Sequence, residues 1–533
     1  MAQAEVKKFL ESLENNPLVS LQRELMSYYL IDKHVKTSPA FNYISPVEIK
    51  LPPNEDGSVS TYQYIPIIET LAAIDSDPTM IRTKPTAGDM IQDIFDGSVW
   101  RDSEYFRENP DAYTGMLYTD ACEICNPLGP RKGVHKIVPV YLSIVDLTKP
   151  LRSKTENVFL VMLVSAEDMK KHKKTVFKTL IDDLLLLEKG VQVGSRTIKL
   201  GIVAYVADNL ESHFIGGFSC NFASRDICRS CHLQYVDLPN ISGVLSSKQW
   251  TEAEYDADAE NLENGQVVYG LTDWCMFNEL SCFHAVGQLP YDCMHDFLEK
   301  VGACDVHAAV LALVSEGRFT INQLNEMQRN LKLKHYESSN RPLPIKAQSE
   351  KLQGNALTIA MQIRYMPYTV HQLVGDCKPG DSPALDLLLL LHQLQDYMMA
   401  DALNPADIMG YEETLVLFFD TRKKCVELYT GFSKIVPKYH FLEHYAEQMR
   451  RFGPILCTWT ARFESKHQDF KNWAEASKNW INLLKTLAEK NQKKMASRYT
   501  FVDYHSWASL LSKVASVVRS SVTFIYPILL NPF

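Results

Sequence analysis

Between Gly115 and Asn209 the chain spells out three consecutive apolar, β-branched and aromatic runs, then one helical stretch, then a fourth such run. The runs are GMLYTDACEI, HKIVPVYLSIVDL, NVFLVMLVSA and, after the helix, RTIKLGIVAYVADN. Turn chemistry separates the first three (NPLGPRKG, then TKPLRSK), and KKTVFKTLIDDLLLLEKG has helically spaced apolar residues and a terminal Gly. A β-β-β-α-β order restricts the fold sharply. Three strands in succession form a meander, and a crossover helix returns a fourth strand parallel to one already placed. Strands one and four are then expected to be neighbours in an α/β sheet.

The flanking sequence reads differently. Residues 1–110 are irregular, with a short amphipathic helix and segments broken by Pro and Asp (LPPNEDGSVSTYQY, IDSDPTM). From about 240 to 445 the pattern is nearly all helical, as in MHDFLEKVGACDVHAAVLALVSEG and SPALDLLLLLHQLQDYMMADAL. A further helical stretch runs from Trp459 to Met495. The expected division is an N-terminal region 1–110, a sheet core 111–235, a helical insertion 236–445, the returning core 446–500 and a tail 501–533.

Charge and leader features narrow the function classes. With a net charge of −9 over 533 residues, any nucleic-acid contact must come from a local basic patch. The N-terminus, MAQAEVKKFLESLENNPL, lacks the basic-then-apolar plan of a signal peptide, and no run approaches the roughly 20 apolar residues that cross a bilayer. An intracellular, soluble chain without membrane partners is expected. Its 12 cysteines are then expected to be buried thiols or metal ligands.

Cys228, Arg229, Ser230, Cys231 and His232 form CRSCH. C-x-x-C-H fits a c-type haem attachment, which requires export; C-x-x-C fits a redox dithiol, half of a zinc site, or two packed thiols. His440, Glu443 and His444 in HFLEH fit the H-x-x-E-H of inverted zinc metallopeptidases, with Glu443 as general base. Two acids stand at strand ends, Asp120 in the first run and Asp208 after the fourth. If those strands are neighbours, the carboxylates converge, and Glu464 on a late helix can complete a site for two hard divalent cations. The alternative is that all three are ordinary solubilising residues.

Several strings together resemble the CACTA–Mirage–Chapaev superfamily of DDE transposases: YTDACEICNPLGPRKGVHK, ENVFLVMLV, VADNLESHFIGGF, CRSCH, LPYDCMHDFLEKV, KYHFLEHY and RFGPILCTWTARFESKHQDFK, spanning about 113 to 475. The resemblance implies an RNase H-like (retroviral integrase-like) α/β core interrupted by a large all-α insertion. Asp120, Asp208 and Glu464 would be the catalytic acids, holding two Mg2+ or Mn2+ ions. Cys228, Cys231, His440 and His444 would form one structural zinc site. Asp292 and His295 carry the family's D-x2-H, either beside the active site or packing their helix. It further implies DNA as partner, both transposon ends and target, with homo-oligomers assembled on that DNA in the nucleus.

Other residues have two readings each. Trp459, Arg462 and Lys466 can contact DNA near Glu464 or form the wet face of a helix. The same choice applies to Lys170–Lys174 and to Lys485, Lys490, Lys493, Lys494 and Arg498. Cys122 and Cys125 read as strand packing. Residues 1–110 contain no cysteine for the zinc-bearing DNA-reading module usual in such transposases. A catalytic core without its reader, or a catalytically silent DNA- or protein-binding scaffold, follows from that departure.

Overall fold

A computed structural model describes residues 28–37, 41–84, 88–124, 135–375, 378 and 380–501. The expected helix near the N-terminus, Cys125 and the tail from 502 lie outside the described residues, as does the side chain of Arg498. The strands are β1 (Val47–Lys50), β2 (Thr61–Tyr64), β3 (Tyr113–Thr119), β4 (Cys122–Glu123), β5 (Lys136–Ile144), β6 (Val158–Ser165), a small hairpin of β7 (Val191–Val193) and β8 (Arg196–Ile198), and β9 (Leu200–Val206). The main sheet has the order β1-β2-β6-β5-β3-β9, with β4 pairing β5. Among the described residues only β3 and β9 pair in parallel; the meander β3-β5-β6 is antiparallel.

Near-continuous burial along β3, β5, β6 and β9 explains why their sequences are apolar runs rather than alternating patterns: both faces of the sheet are covered. On one face lies α1 (Ala166–Lys189), capped by Ser165 and stopped at Gly190 with φ 107°. Its stripe Val176, Phe177, Leu180, Ile181, Leu184 and Leu187 is buried. After β9, the short helix α2 (Asn209–Ile215) begins directly at Asp208.

A second, separate apolar core is built from α3 (Gly302–Ser315), α4 (Ala356–Val374), α5 (Pro383–Met398) and α6 (Pro405–Leu428), followed by the shorter α7 (Pro437–Phe441) and α8 (Tyr445–Phe452). The chain enters it through a π-helical stretch, Met294–Val301, continuous with α3. It leaves through α9 (Ala461–Ser477) and α10 (Leu483–Phe501), which return to the sheet: Phe463, Phe470, Leu487 and Ala488 belong to the sheet's core.

Three expectations need correction. Residues 1–110 are not merely irregular, because β1 and β2 extend the sheet, with Gln63 opposite Leu163. Four-residue strands are too short to show a period, and β2 is fixed by two tyrosines reaching α1; Tyr64 donates to Asp183 at 2.6 Å. Residues 250–289, assigned to the helical insertion, pack on the sheet through Trp250, Tyr255, Phe277 and Phe283, whereas Cys228, Cys231 and Leu233 join the helical core. Finally, the stretch from 459 to 495 is two helices. Lys478 ends the first in the left-handed region at φ 51°, without the Gly or Asn that usually marks such an ending.

Candidate functional site

Strand alternation fixes where the two aspartates emerge. Tyr118 and Val206 are partners across the parallel β3–β9 pair, and Phe463 of α9 stacks on Tyr118 at 4.5 Å with ring planes 6° apart. Asp120 and Asp208 lie just past the ends of these strands, two residues on from Tyr118 and Val206, where alternation directs them to that same face. Asp208 also caps α2, its Oδ1 accepting the Glu211 amide at 2.7 Å.

Glu464 sits in the first turn of α9 and meets His295, with Nε2 to Oε1 at 3.4 Å. His295 Nδ1 lies 2.7 Å from Asp292 Oδ2, and the Thr460 hydroxyl donates to the same oxygen at 2.7 Å. The Thr460 amide is 3.3 Å from Oδ1. Asp292 thus ties the start of the Glu464 helix and aims His295, which in turn holds Glu464. The D-x2-H pair could not be given this role from sequence.

The local field is that of crowded carboxylates. Burial and then the charge of Asp208 push Asp120 up to about 6. Burial also lifts Glu464 to about 7, with Asp120 and Asp292 adding to it and His295 opposing. Burial alone would lower His295, but Asp292 and Glu464 carry it up to about 10, so it is an imidazolium at neutral pH. Glu211, which the sequence reading passed over, belongs to this cluster. Its Oε1 is buried without a hydrogen-bond partner, and burial followed by Asp208 and Asp120 raises it to about 8. Its one sequence signal is its position three residues after Asp208.

Cys228, Cys231, His440 and His444 converge. One donor atom from each lies within 4.8 Å of the others, and all four residues are buried. Cys231 Sγ is 3.2 Å from His440 Nε2, Cys228 Sγ is 3.3 Å from His444 Nε2, and the two Nε2 atoms are 3.2 Å apart. A tetrahedral zinc with bonds of about 2.0–2.3 Å has ligand edges of about 3.3–3.8 Å, so this donor set fits one such ion. The Ser230 amide donates to Cys228 Sγ at 3.3 Å, and Tyr291 OH lies 3.1 Å from it. Cys228 is the thiol held well below its usual range: burial opposes this, but Cys231 and the two imidazoles outweigh it.

Glu443 is committed elsewhere. Oε2 binds His440 Nδ1 at 2.8 Å and Oε1 accepts the Gly243 amide at 2.9 Å, so it orients a histidine. His232 packs on the Trp250 ring at 4.0 Å. Arg229 is fully buried; its guanidinium donates to Asn209 Oδ1 at 2.8 Å and to the carbonyls of Leu289 and Pro290, both at 3.0 Å. It joins the residue after Asp208 to the segment before Asp292.

Among the described residues, no other group of three or more Cys, His, Asp or Glu gathers its donor atoms this closely. Asp120, Asp208 and Glu464 do not form such a single-ion cage.

The wet-face reading of Arg462 and Lys466 needs correction. Lys466 is buried, its Nζ 3.8 Å from Asp469. Arg462 turns away from Glu464 to bond the Arg152 carbonyl at 2.9 Å and Ser143 Oγ at 3.0 Å. Much of the other basic charge is used internally. Lys173 and Lys174 pair with Asp273, Lys493 with Asp32 and Glu489, and Lys494 with Asp469. Cys122 is buried, pairing with β5 through β4. No helix among the described residues is long and apolar enough to cross a membrane. No family model matches the chain, and no curated protein matches it.

Proposed function

We propose that the chain is a DNA phosphoryl transferase of the DDE type, cutting and joining transposon DNA, and that its sheet and returning helices form an RNase H-like core. The observation that carries this reading is the emergence of Asp120 and Asp208 from adjacent parallel strands on the sheet face covered by the Glu464 helix. The strand order 3-2-1-4 of the meander and crossover strand supports it further.

In this reading Asp120, Asp208 and Glu464 hold two Mg2+ or Mn2+ ions. Bound there, such ions supply activation of a water or DNA 3′-hydroxyl and charge stabilisation of the leaving 3′-oxygen in an in-line displacement at phosphorus. The protein's part is positional. Asp292 and His295 fix Glu464, and Asp120 and Glu464, raised first by burial and then by neighbouring carboxylates, are groups whose ionised form a divalent cation favours. Cys228, Cys231, His440 and His444 hold Zn2+ in a closed site inside the helical core, tying the segment that follows β9 to the end of the helical excursion. With four protein ligands no position is left for a catalytic water, and Glu443 is not free to act as a base, so a metallopeptidase is not proposed. In this reading the protein works in the nucleus as a homo-oligomer on transposon ends and target.

A silent scaffold is the second reading, favoured by the internal pairing of basic residues in a chain of net charge −9. Nicking of supercoiled plasmid in Mn2+, comparing the parent with Asp208→Asn and Glu464→Gln, separates the two. Loss of nicking in both variants, with zinc content unchanged, supports the transferase. Nicking that survives Asp208→Asn overturns it. A parent chain that never nicks, tested also on DNA carrying the parent element's terminal repeats, leaves the scaffold.

A further inference from the structure

Where α9 begins, on the side away from Glu464, a cavity of about 280 Å³ opens between the returning chain and the β5–β6 connection. Lys149, Arg152 and Arg462 line it together with Trp459, Gln92 and Cys457. Arg152 is neutralised by Asp93, which accepts at 2.9 Å and 2.5 Å. Arg462 has no such partner: its two hydrogen bonds go to a carbonyl and a hydroxyl, and among the described residues no carboxylate lies within 4.0 Å of its guanidinium. Lys149, exposed at the mouth, donates to the Gln92 carbonyl at 2.8 Å, and Asp401 is the one acid on the rim.

Two donors at this place are buried and unused, Trp459 Nε1 and Arg462 Nε. Buried donors without acceptors are rare because each forfeits its solvation. Two of them, three residues apart, with Arg462 unpaired by any carboxylate and Lys149 at the mouth, form the donor set that an oxyanion satisfies.

We propose that this cavity binds a phosphate oxyanion, and that in the working protein the oxyanion is a backbone phosphate of DNA. The identity of the source rests on the reading of the chain as a DNA phosphoryl transferase; the site itself does not. Burial and the neighbouring Arg152 charge bring Arg462 down to about 9, a cost that a bound anion reverses. The first-turn position of Arg462 in the 17-residue α9 adds the helix dipole to the attraction. Ser143, which Arg462 grips, lies opposite Met116 in β3, four residues before Asp120. At about 3.3 Å per residue the strand position beside Ser143 is about 13 Å from Asp120. A phosphate held there does not react; it sets the register of the strand being cut, on the same helix that carries Glu464.

The test uses the full chain in EDTA, so that neither metal occupancy nor cleavage enters. Sodium phosphate is titrated while the Trp459 indole N–H resonance, assigned with Trp459→Phe, is followed by NMR; sodium chloride at matched ionic strength is the control. A saturable shift with phosphate alone is expected, and calorimetric affinity about tenfold weaker in Arg462→Gln. Trp459→Phe, which keeps an aromatic ring, should also weaken binding if Arg462→Gln does not fold. Duplex DNA should move the same resonance and compete with phosphate. No phosphate shift, or a shift and affinity indifferent to both variants, overturns the site. Phosphate binding without a DNA effect overturns the DNA source and leaves a pocket for free phosphate. Loss of the transferase reading in the nicking assay does not alter the phosphate arm.

Discussion

Replacing Glu211 with Gln should stabilise the metal-free protein at alkaline pH. The change keeps the side chain's volume and removes a charge that no hydrogen bond to Oε1 supports. Burial, Asp208 and Asp120 raise this carboxyl from 4.5 to about 8. At about 1.4 kcal/mol per tenfold step the ceiling is about 5 kcal/mol. Relaxation and water penetration, the reasons buried sites behave as if the dielectric were near 20, bring a realistic figure to about 2–3 kcal/mol. The sign follows from the direction of the shift. A carboxyl whose folded value is raised stabilises fully below its unfolded value and loses that contribution as pH rises through the folded value. Parent and variant should therefore melt alike below pH 4.5 and separate progressively up to about pH 8, with the variant higher. With an unfolding entropy of about 2.1 cal/mol/K per residue, the gap is about 2–3 °C if all 533 residues unfold together, and larger if the sheet core melts alone. Scanning calorimetry in EDTA from pH 4 to 9 measures it, and saturating Mg2+ should narrow it by offsetting the repulsion. A variant equal to or less stable than the parent at pH 8.5 in EDTA refutes the crowded-carboxylate picture.

Cys228→Ser should lower zinc from about one ion per chain to near none by elemental analysis, and destabilise the helical module more than the sheet, because the ligand set is buried in the helical core. Retention of stoichiometric zinc argues against the four-ligand site. Phe463→Ala removes a fully buried ring stacked on Tyr118 and should cost about 3–5 kcal/mol in denaturant unfolding. A cost below about 1 kcal/mol would mean that α9 does not pack on β3 as described. Asp292→Asn weakens charge-assisted bonds to His295 and Thr460 and should cost about 1.5–3 kcal/mol. It should also depress nicking by loosening Glu464, whereas unchanged activity would detach His295 from the site.

How much of this was legible depended on the length scale of each signal. The meander and crossover could be read because β3, β5, β6 and β9 are buried on both faces, which makes each a long apolar run. The placement of Asp120 and Asp208 at one edge of the sheet followed from that order, since parallel neighbours end at the same edge. Signals that depend on three-dimensional contact were invisible. Arg229 looks like a surface residue between two cysteines, yet it is buried in carbonyls. Arg462 and Lys466 have the composition of a solvated helix face and turn inward. Glu211 and the Asp292–His295–Glu464 chain are ordinary polar residues until burial removes their solvent.

The polar contacts between the two cores have a physical reason to exist. Asp120 and Asp208 belong to the chain before the helical excursion and Glu464 to the chain after it, so roughly 250 residues, many of them helical, separate groups that must be fixed to within about an ångström of a productive geometry. Two apolar cores in contact resist sliding only weakly, because dispersion is insensitive to direction. Directional bonds supply what packing cannot. Arg229 to Asn209, Thr460 to Asp292, His295 to Glu464 and Lys438 to the His295 carbonyl each cross between segments on different sides of the excursion or its entry. Buried polar pairs of this kind contribute little net stability against apolar replacements, but a misaligned arrangement leaves them unpaired at several kcal/mol each. Their work is therefore to exclude alternative placements of α9. On this account Arg229→Gln should depress nicking by loosening the placement of Glu464, and unchanged nicking would refute it, because Arg229 bonds Asn209 and the carbonyls of Leu289 and Pro290 rather than any of the three acids.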